Sequence, residues 1–272
     1  MPGFRTEKRT SERHGKRKAE STENQEGQES GCRTEGNRRT ITIKIMTKAV
    51  VFDMGGVIVR LDPQLCIANF KEKAGFDLIE DYLDRYHQKG FISDFEEGVI
   101  DEDGFYEECL RRSRPGTTRE TIHECLCSLL CGIYEETVEL IKELSGKYDL
   151  YILSNNNPIT CAKFRGMLAR MGVDNEKVFK KEFYSYKMRL LKPGHEIYDE
   201  VIKETGVKPE EMLFIDDYKP NVEGARAVGI PTIWLEQGTD IRKEVMNTLK
   251  KPAIIWQAKS EMLKSGRAET SR

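Results

Sequence analysis

The chain reads as an α/β protein: a doubly wound, Rossmann-like parallel sheet carrying a small inserted α-helical cap. Three observations predict it. Short unbroken apolar runs at residues 49–52, 150–153 and 212–215 have the length and the β-branched or aromatic content of strands buried on both faces. Helical periodicity fills the segments between them, so the connections are right-handed crossovers with helices on both faces of the sheet. Finally, 100 residues separate Asp53 from Ser154. A plain crossover between parallel strands needs only about 30 in all, so something is inserted.

Taken in order, residues 1–45 hold Arg, Lys, Glu, Ser, Thr, Gly and Gln with almost nothing apolar before Ile41. Such a stretch cannot bury enough surface to offset the entropy of ordering, and a disordered N-terminal extension is expected. It lacks the apolar core of a secretory signal, and its glutamates argue against an organellar transit peptide. Translation from an upstream start is the favoured explanation, because Met46 heads a complete first strand. The core is expected over 46–62 and 131–258, the cap over 63–130 and a frayed tail over 259–272.

Within the insert, Phe105, Cys109 and Leu110 follow the cap candidate Asp101, and Ile122, Leu126, Leu129 and Leu130 follow Thr118. Gly90, Gly98, Pro115 and Gly116 punctuate it, which gives about four helices. Residues 135–144 form an amphipathic helix leading into the second strand. Beyond Ser154 the pattern predicts a helix over 160–171, a short strand over 182–185 and a helix over 195–205 stopped by Gly206. A helix over 221–228 ending at Gly229 and a strand over 232–235 complete the core.

Composition narrows the function classes. With 272 residues, 38% hydrophobic and a net charge of −2, the chain can build one well-cored domain plus an insertion. It has no global field to recruit nucleic acid or an anionic membrane, and no stretch of spanning length. The expected partner is a small molecule. Seven cysteines without paired spacing read as free thiols in a reducing cytoplasm. Cys125, Cys127 and Cys131 do not have zinc spacing; Cys127 and Cys131, about one helical turn apart, read as packing residues.

The chemistry collects at the strand ends. Asp53 follows the first apolar run and precedes Gly55-Gly56, where the backbone can turn sharply. The second run ends at Ser154 and Asn155, the third at Asp216 and Asp217, and Lys192 stands ahead of a helix in Leu191-Lys192-Pro193. Ligands of open α/β sheets bind beyond the carboxyl ends of the strands, so these groups share one rim. A carboxylate, a hydroxyl with an amide, an ammonium and a carboxylate pair can together attack, cradle and neutralise a phosphoryl group.

Four motifs in this order, strand-D-x-x-x-V, strand-S-N, K-P and strand-D-D, resemble the haloacid dehalogenase (HAD) superfamily over roughly residues 46–240. The likeness is to phosphohydrolases with an inserted helical cap, in the glucose-1-phosphatase-like and epoxide hydrolase N-terminal-like branch. It implies a Mg²⁺-dependent phosphatase of a small phosphorylated metabolite, a sugar phosphate favoured, working through an aspartyl-phosphate on Asp53. It further implies phosphate binding by Ser154, Asn155 and Lys192, and a metal held by Asp53, the Gly55 carbonyl and Asp217. Asp216 supports them, through water or by orienting Lys192.

The chain departs from the family pattern at Gly55, where phosphatases have a second aspartate that protonates the leaving oxygen. General acid–base help typically contributes ~10²–10⁴-fold, so its absence favours anomeric, acyl or aryl phosphates, or calls for a substitute such as His87, His123 or Asp94. Two rival functions lack the same acid. One is a metal-independent haloacid dehalogenase, against which the Asp216-Asp217 pair argues; the other is a non-catalytic phospho-ligand-binding homologue, against which retention of Asp53, Ser154, Lys192 and Asp217 argues.

Overall fold

The computed structural model describes residues 41–84, 88–250 and 253–257. Strand β1 (Ile41–Ile45) opens the described chain, followed by β2 (Ala49–Phe52) and β3 (Val59–Leu61). Helices α1 (Pro63–Asn69), α2 (Phe91–Glu96), α3 (Glu102–Arg112) and α4 (Arg119–Cys127) form the insert. A π-helical turn at Phe70–Ala74 and a 3₁₀ turn at Ile79–Asp81 join the first two. Then come β4 (Leu130–Ile133), α5 (Glu135–Leu144), β5 (Asp149–Ser154), α6 (Pro158–Arg170), α7 (Asn175–Val178), β6 (Phe179–Tyr184) and α8 (Ser185–Met188). Last are α9 (His195–Thr205), β7 (Met212–Asp216), α10 (Lys219–Ala227), β8 (Thr232–Trp234), α11 (Ile241–Lys250) and β9 (Ala253–Gln257).

The central sheet has the order β6-β5-β2-β7-β8, with every neighbouring pair parallel. Strand β2 is its middle, and all four of its residues are buried, as an apolar run with no polar face requires. Its two faces carry separate apolar clusters. Val50, Phe52, Ile152 and Ile215 pack with α5, α6 and α11 residues such as Ile141, Phe164 and Val245. Ala49, Val51, Leu153 and Phe214 pack with α9 and α10 residues such as Ile197, Tyr198 and Ala225. That arrangement is the doubly wound sheet expected from the alternation of strands and helices.

The inserted helices gather a third cluster around Phe70, Phe76, Phe91, Phe95, Phe105 and Ile122, to which Ile159 of α6 adds a contact from the core. Local caps start these helices where the sequence placed them. The Asp101 side chain accepts from the Gly104 N–H at 2.9 Å, and Thr118 caps α4 through the Thr121 N–H. Among the described residues no helix is long and apolar enough to cross a membrane.

Two expectations are corrected. The disorder expected up to residue 45 does not reach Ile41–Ile45, which pairs antiparallel with Ala253–Gln257. Its alternation of Ile with Thr and Lys is the two-residue period of a strand. The tail from 259 lies outside the described residues. The helix expected through Leu129 and Leu130 stops at Cys127, because Leu130–Ile133 pairs with Val59–Leu61 instead. Cys131 is therefore a strand residue, not one helical turn from Cys127, while Cys125 is buried in the insert cluster.

Candidate functional site

The ends of β2, β5 and β7 deliver the polar residues to one place, because parallel neighbours in register finish side by side. Phe52 pairs with Ile152 and with Ile215, so Asp53, Ser154 and Asp216 emerge on the same rim. Lys192 reaches it from the loop before α9. Its Nζ lies 2.8 Å from Asp53 Oδ1 and 2.7 Å from Asp216 Oδ2, and it donates to the Leu153 carbonyl at 3.1 Å. All three side chains are buried or nearly so.

Burial alone would lower the Lys192 ammonium, but the carboxylates of Asp216 and Asp53 outweigh it and hold the group above the usual lysine range. Asp216 is committed to this role. Its carboxylate also accepts from the Tyr218 N–H at 2.8 Å and from Asn221 Nδ2 at 3.0 Å. The Asn221 carbonyl in turn receives the Tyr198 hydroxyl at 2.8 Å. Burial pushes the Asp216 carboxyl up, to about 6, against the opposing pull of Lys192.

Asp217 is differently placed. One oxygen from each of Asp53, Asp216 and Asp217 can be chosen so that all lie within 4.8 Å of one another, the spacing of a site for a hard cation. The Asp217 main chain is fixed by Trp234 Nε1, which donates to its carbonyl at 3.1 Å. Gly56 makes the approach possible. At its φ of +73°, an added Cβ would stand 2.1 Å from Asp217 Oδ2, so only glycine lets that carboxylate lie over the β2 turn.

These residues open onto a cavity of about 90 Å³, room for several water-sized groups. Asp53, Gly55, Ser154, Asn155, Lys192 and Asp217 line it from the sheet side, and Asp84, Gln88 and Glu96 from the insert. The structure thus brings every sequence-predicted site residue to one cavity except Asp216, which stands behind it on Lys192. The Asn155 side-chain amide also braces Lys192, donating to its carbonyl and accepting from its N–H at 2.9 Å each, which leaves its second amide N–H free to serve a ligand only from this fixed position.

Of the substitutes proposed for the missing acid, His123 bonds Tyr106 at 2.9 Å and is absent from the cavity lining, as is Asp94. His87 lies outside the described residues. Sequence reasoning missed Glu96, Asn221 and Leu61. Glu96 sits two positions beyond Asp94 in the segment between Gly90 and Gly98, which was the only signal available for it.

Comparison with known proteins agrees with this architecture. A model of the family described as haloacid dehalogenase-like hydrolase matches residues 47–229. The chain is 31% identical over 201 residues, 74% of its length and 97% of the relative's, to a D-ribitol-5-phosphate phosphatase of Bacteroides thetaiotaomicron. A HAD family enzyme of the same organism, solved as an aspartate-to-alanine variant with magnesium and inorganic phosphate, superposes with a TM-score of 0.69 at 30% identity, covering 73% of this chain and 98% of that one. A predicted HAD-like family hydrolase from Porphyromonas gingivalis superposes with a TM-score of 0.69 at 32% identity over 76% and 99% of the two chains. With its motifs in order, its strand ends converging on one cavity and these relatives alongside it, the chain belongs to the haloacid dehalogenase-like hydrolase family.

Proposed function

We propose that this protein is a Mg²⁺-dependent phosphatase acting on a phosphorylated polyol or sugar through a phospho-Asp53 intermediate. The observation that carries the reading is the buried Lys192 ammonium, joined to both Asp53 and Asp216 on the rim where Ser154 and Asp217 meet the cavity. Lys192 bonds Asp53 and neutralises charge on the phosphoryl oxygens, while Asp216 holds Lys192 in place. The Ser154 hydroxyl and an Asn155 N–H donate to those oxygens.

The donor set fits a hard divalent cation. Asp53, Asp217 and the Gly55 carbonyl would hold Mg²⁺, which supplies charge neutralisation to the phosphoryl group. Asp53 is then the in-line nucleophile. The polyol phosphate in the name of the Bacteroides relative supports the substrate class, as do Asp84, Gln88 and Glu96, whose polar groups suit substrate hydroxyls. Free thiols at Cys66, Cys109 and Cys161, with burial pushing all three up, support a reducing compartment.

A screen of phosphorylated metabolites with and without Mg²⁺ tests the reading. Phosphate release from polyol or sugar phosphates is expected only with the metal, and is lost in Asp53→Asn. In Asp217→Asn it should return in part with excess Mg²⁺. Undiminished hydrolysis in a chelator would overturn the reading in favour of metal-free displacement.

A further inference from the structure

Gly55 leaves the leaving group's proton without a source at that position. A Cβ at residue 55 would stand 2.8 Å from Leu61 Cδ1, so the Leu61 side chain occupies the space beside the glycine. Among the described residues, the ionisable groups around the cavity are Asp53, Lys192 and Asp217, already assigned above, with Tyr218, Asp84 and Glu96.

Glu96 lies on a segment that the fold fixes firmly. Its neighbour Phe95 is buried in the insert cluster, stacked on Phe105 with ring centroids 4.4 Å apart. Its own carbonyl accepts from the buried Ser185 hydroxyl, which also accepts from the Asn156 N–H at 2.9 Å. Asn156 follows Asn155 in the loop that leaves β5 at Ser154. Beyond it, a Cβ at Gly98 would stand 2.2 Å from the Tyr186 carbonyl, so the chain after α2 lies hard against α8. Glu96 thus lines the cavity from the insert side while its backbone carbonyl is tied to the sheet side.

We propose that Glu96 donates the proton to the leaving oxygen in place of the side chain Gly55 lacks, and then acts as the base for water. The assignment rests on the phosphatase reading above. As Asp53 Oδ bonds phosphorus and the ester P–O bond breaks, the Glu96 proton passes to the departing oxygen and a neutral alcohol leaves. The Glu96 carboxylate then takes a proton from water as the water oxygen attacks phosphorus. Inorganic phosphate is released, and both Asp53 and the acid are restored.

The environment suits that cycle. Burial pushes the Glu96 carboxyl up to about 8, so it enters the reaction protonated near neutral pH. Of the elements packed on α2, α3 presents Phe105, and α8 presents Ser185 and Tyr186, whose phenol burial holds neutral to about 12. An acid here also removes the reason for the chain to favour easy leaving groups, which fits the primary phosphate named for its relative.

The test compares wild type and Glu96→Gln, loaded with Mg²⁺, on ribitol 5-phosphate and on substituted phenyl phosphates. On the alkyl ester kcat/KM should fall by about 10²–10⁴-fold, while 4-nitrophenyl phosphate, which needs no proton, changes little. Dependence on leaving-group pKa should steepen, and the decline of wild-type activity on the alkyl ester through about pH 8 should vanish. Glu96→Asp should recover part of the loss. Equal losses on both substrates, or none, would overturn the proposal while leaving the phosphatase reading intact. A wild type that releases phosphate from no ester would overturn both.

Discussion

The two walls of the cavity treat buried charge in opposite ways. On the sheet side, Asp53 and Asp216 share the ammonium of Lys192 at 2.8 and 2.7 Å, and a further set of donors closes around Asp216. On the insert side, among the described residues no cation is paired with Glu96, and burial pushes its carboxyl up to about 8. A carboxylate beside an ammonium has its charge offset and can attack or bind a metal; one desolvated without a partner keeps its proton and can give it away. One functional group thus serves two chemical tasks, and the environment decides which.

Removing the cation breaks the first half of this contrast and should have the largest effect. In Lys192→Met, Asp53 and Asp216 become close, uncompensated neighbours. Breaking a buried pair by deleting one partner typically costs about 3–5 kcal/mol, or roughly 10 °C in Tm for a chain of this size. Part of the loss should return on acidification, because protonating a carboxyl relieves the repulsion. Thermal melts at pH 5 and pH 8 measure both. A variant as stable as wild type at pH 8 would mean that the lysine does not hold the two carboxylates together.

A second change sharpens the same wall without touching a charge. Gly56→Ala places a Cβ 2.1 Å from Asp217 Oδ2 and puts a side chain at φ +73°, a conformation costing an L-residue about 1–2 kcal/mol. Asp217 must move away from Asp53. Mg²⁺ affinity should drop by about tenfold or more, as other disturbances of metal-ligand orientation do, with only a modest change in stability. Calorimetric titration with Mg²⁺ reads it, and unchanged affinity would remove Asp217 from the metal site.

How much of this was legible in the sequence depends on how local each feature is. Asp53, Ser154 and Asp216 announce themselves because a strand buried on both faces is apolar until the residue where it leaves the sheet. Lys192 was marked by Pro193, but its reach to two carboxylates belongs to the tertiary structure. The Asn155 side chain braces Lys192, a tertiary contact that the strand-end pattern does not announce. Leu129 and Leu130 extend a helical pattern equally well as they begin a strand, and only the partner Val59–Leu61 decides between them.

Ile41–Ile45 carries a strand's alternation, but its partner lies at the far end of the chain, beyond any local pattern. Glu96 was hidden for a geometric reason. Two residues along a helix turn the side chain by about 200°, so singling out Asp94 pointed to the opposite face of α2. Leu61 was hidden because an apolar residue three-dimensionally opposite a glycine leaves no trace in the glycine's own neighbourhood.

The smallest expected effect probes the insert wall through stability alone. A carboxyl at about 8 in the folded protein and near its ordinary 4.5 when unfolded keeps a proton, between those values, that the unfolded chain has released. The folded state then binds more protons, so Glu96 makes the protein progressively less stable as pH rises from about 4.5 to about 8, and the penalty is constant above that. Glutamine has no such proton to keep. Relative to wild type, Glu96→Gln should therefore gain little at pH 5 and most at pH 8. The gain is on the order of 2 kcal/mol, or about 5 °C in Tm, once the cost of seating a half-buried amide is set against it. Melts of both proteins across this range, without substrate or metal, isolate the carboxyl from catalysis. A stability difference that does not grow with pH would mean that Glu96 is ionised in the folded protein. The contrast between the two walls would then collapse to one pattern of paired charge.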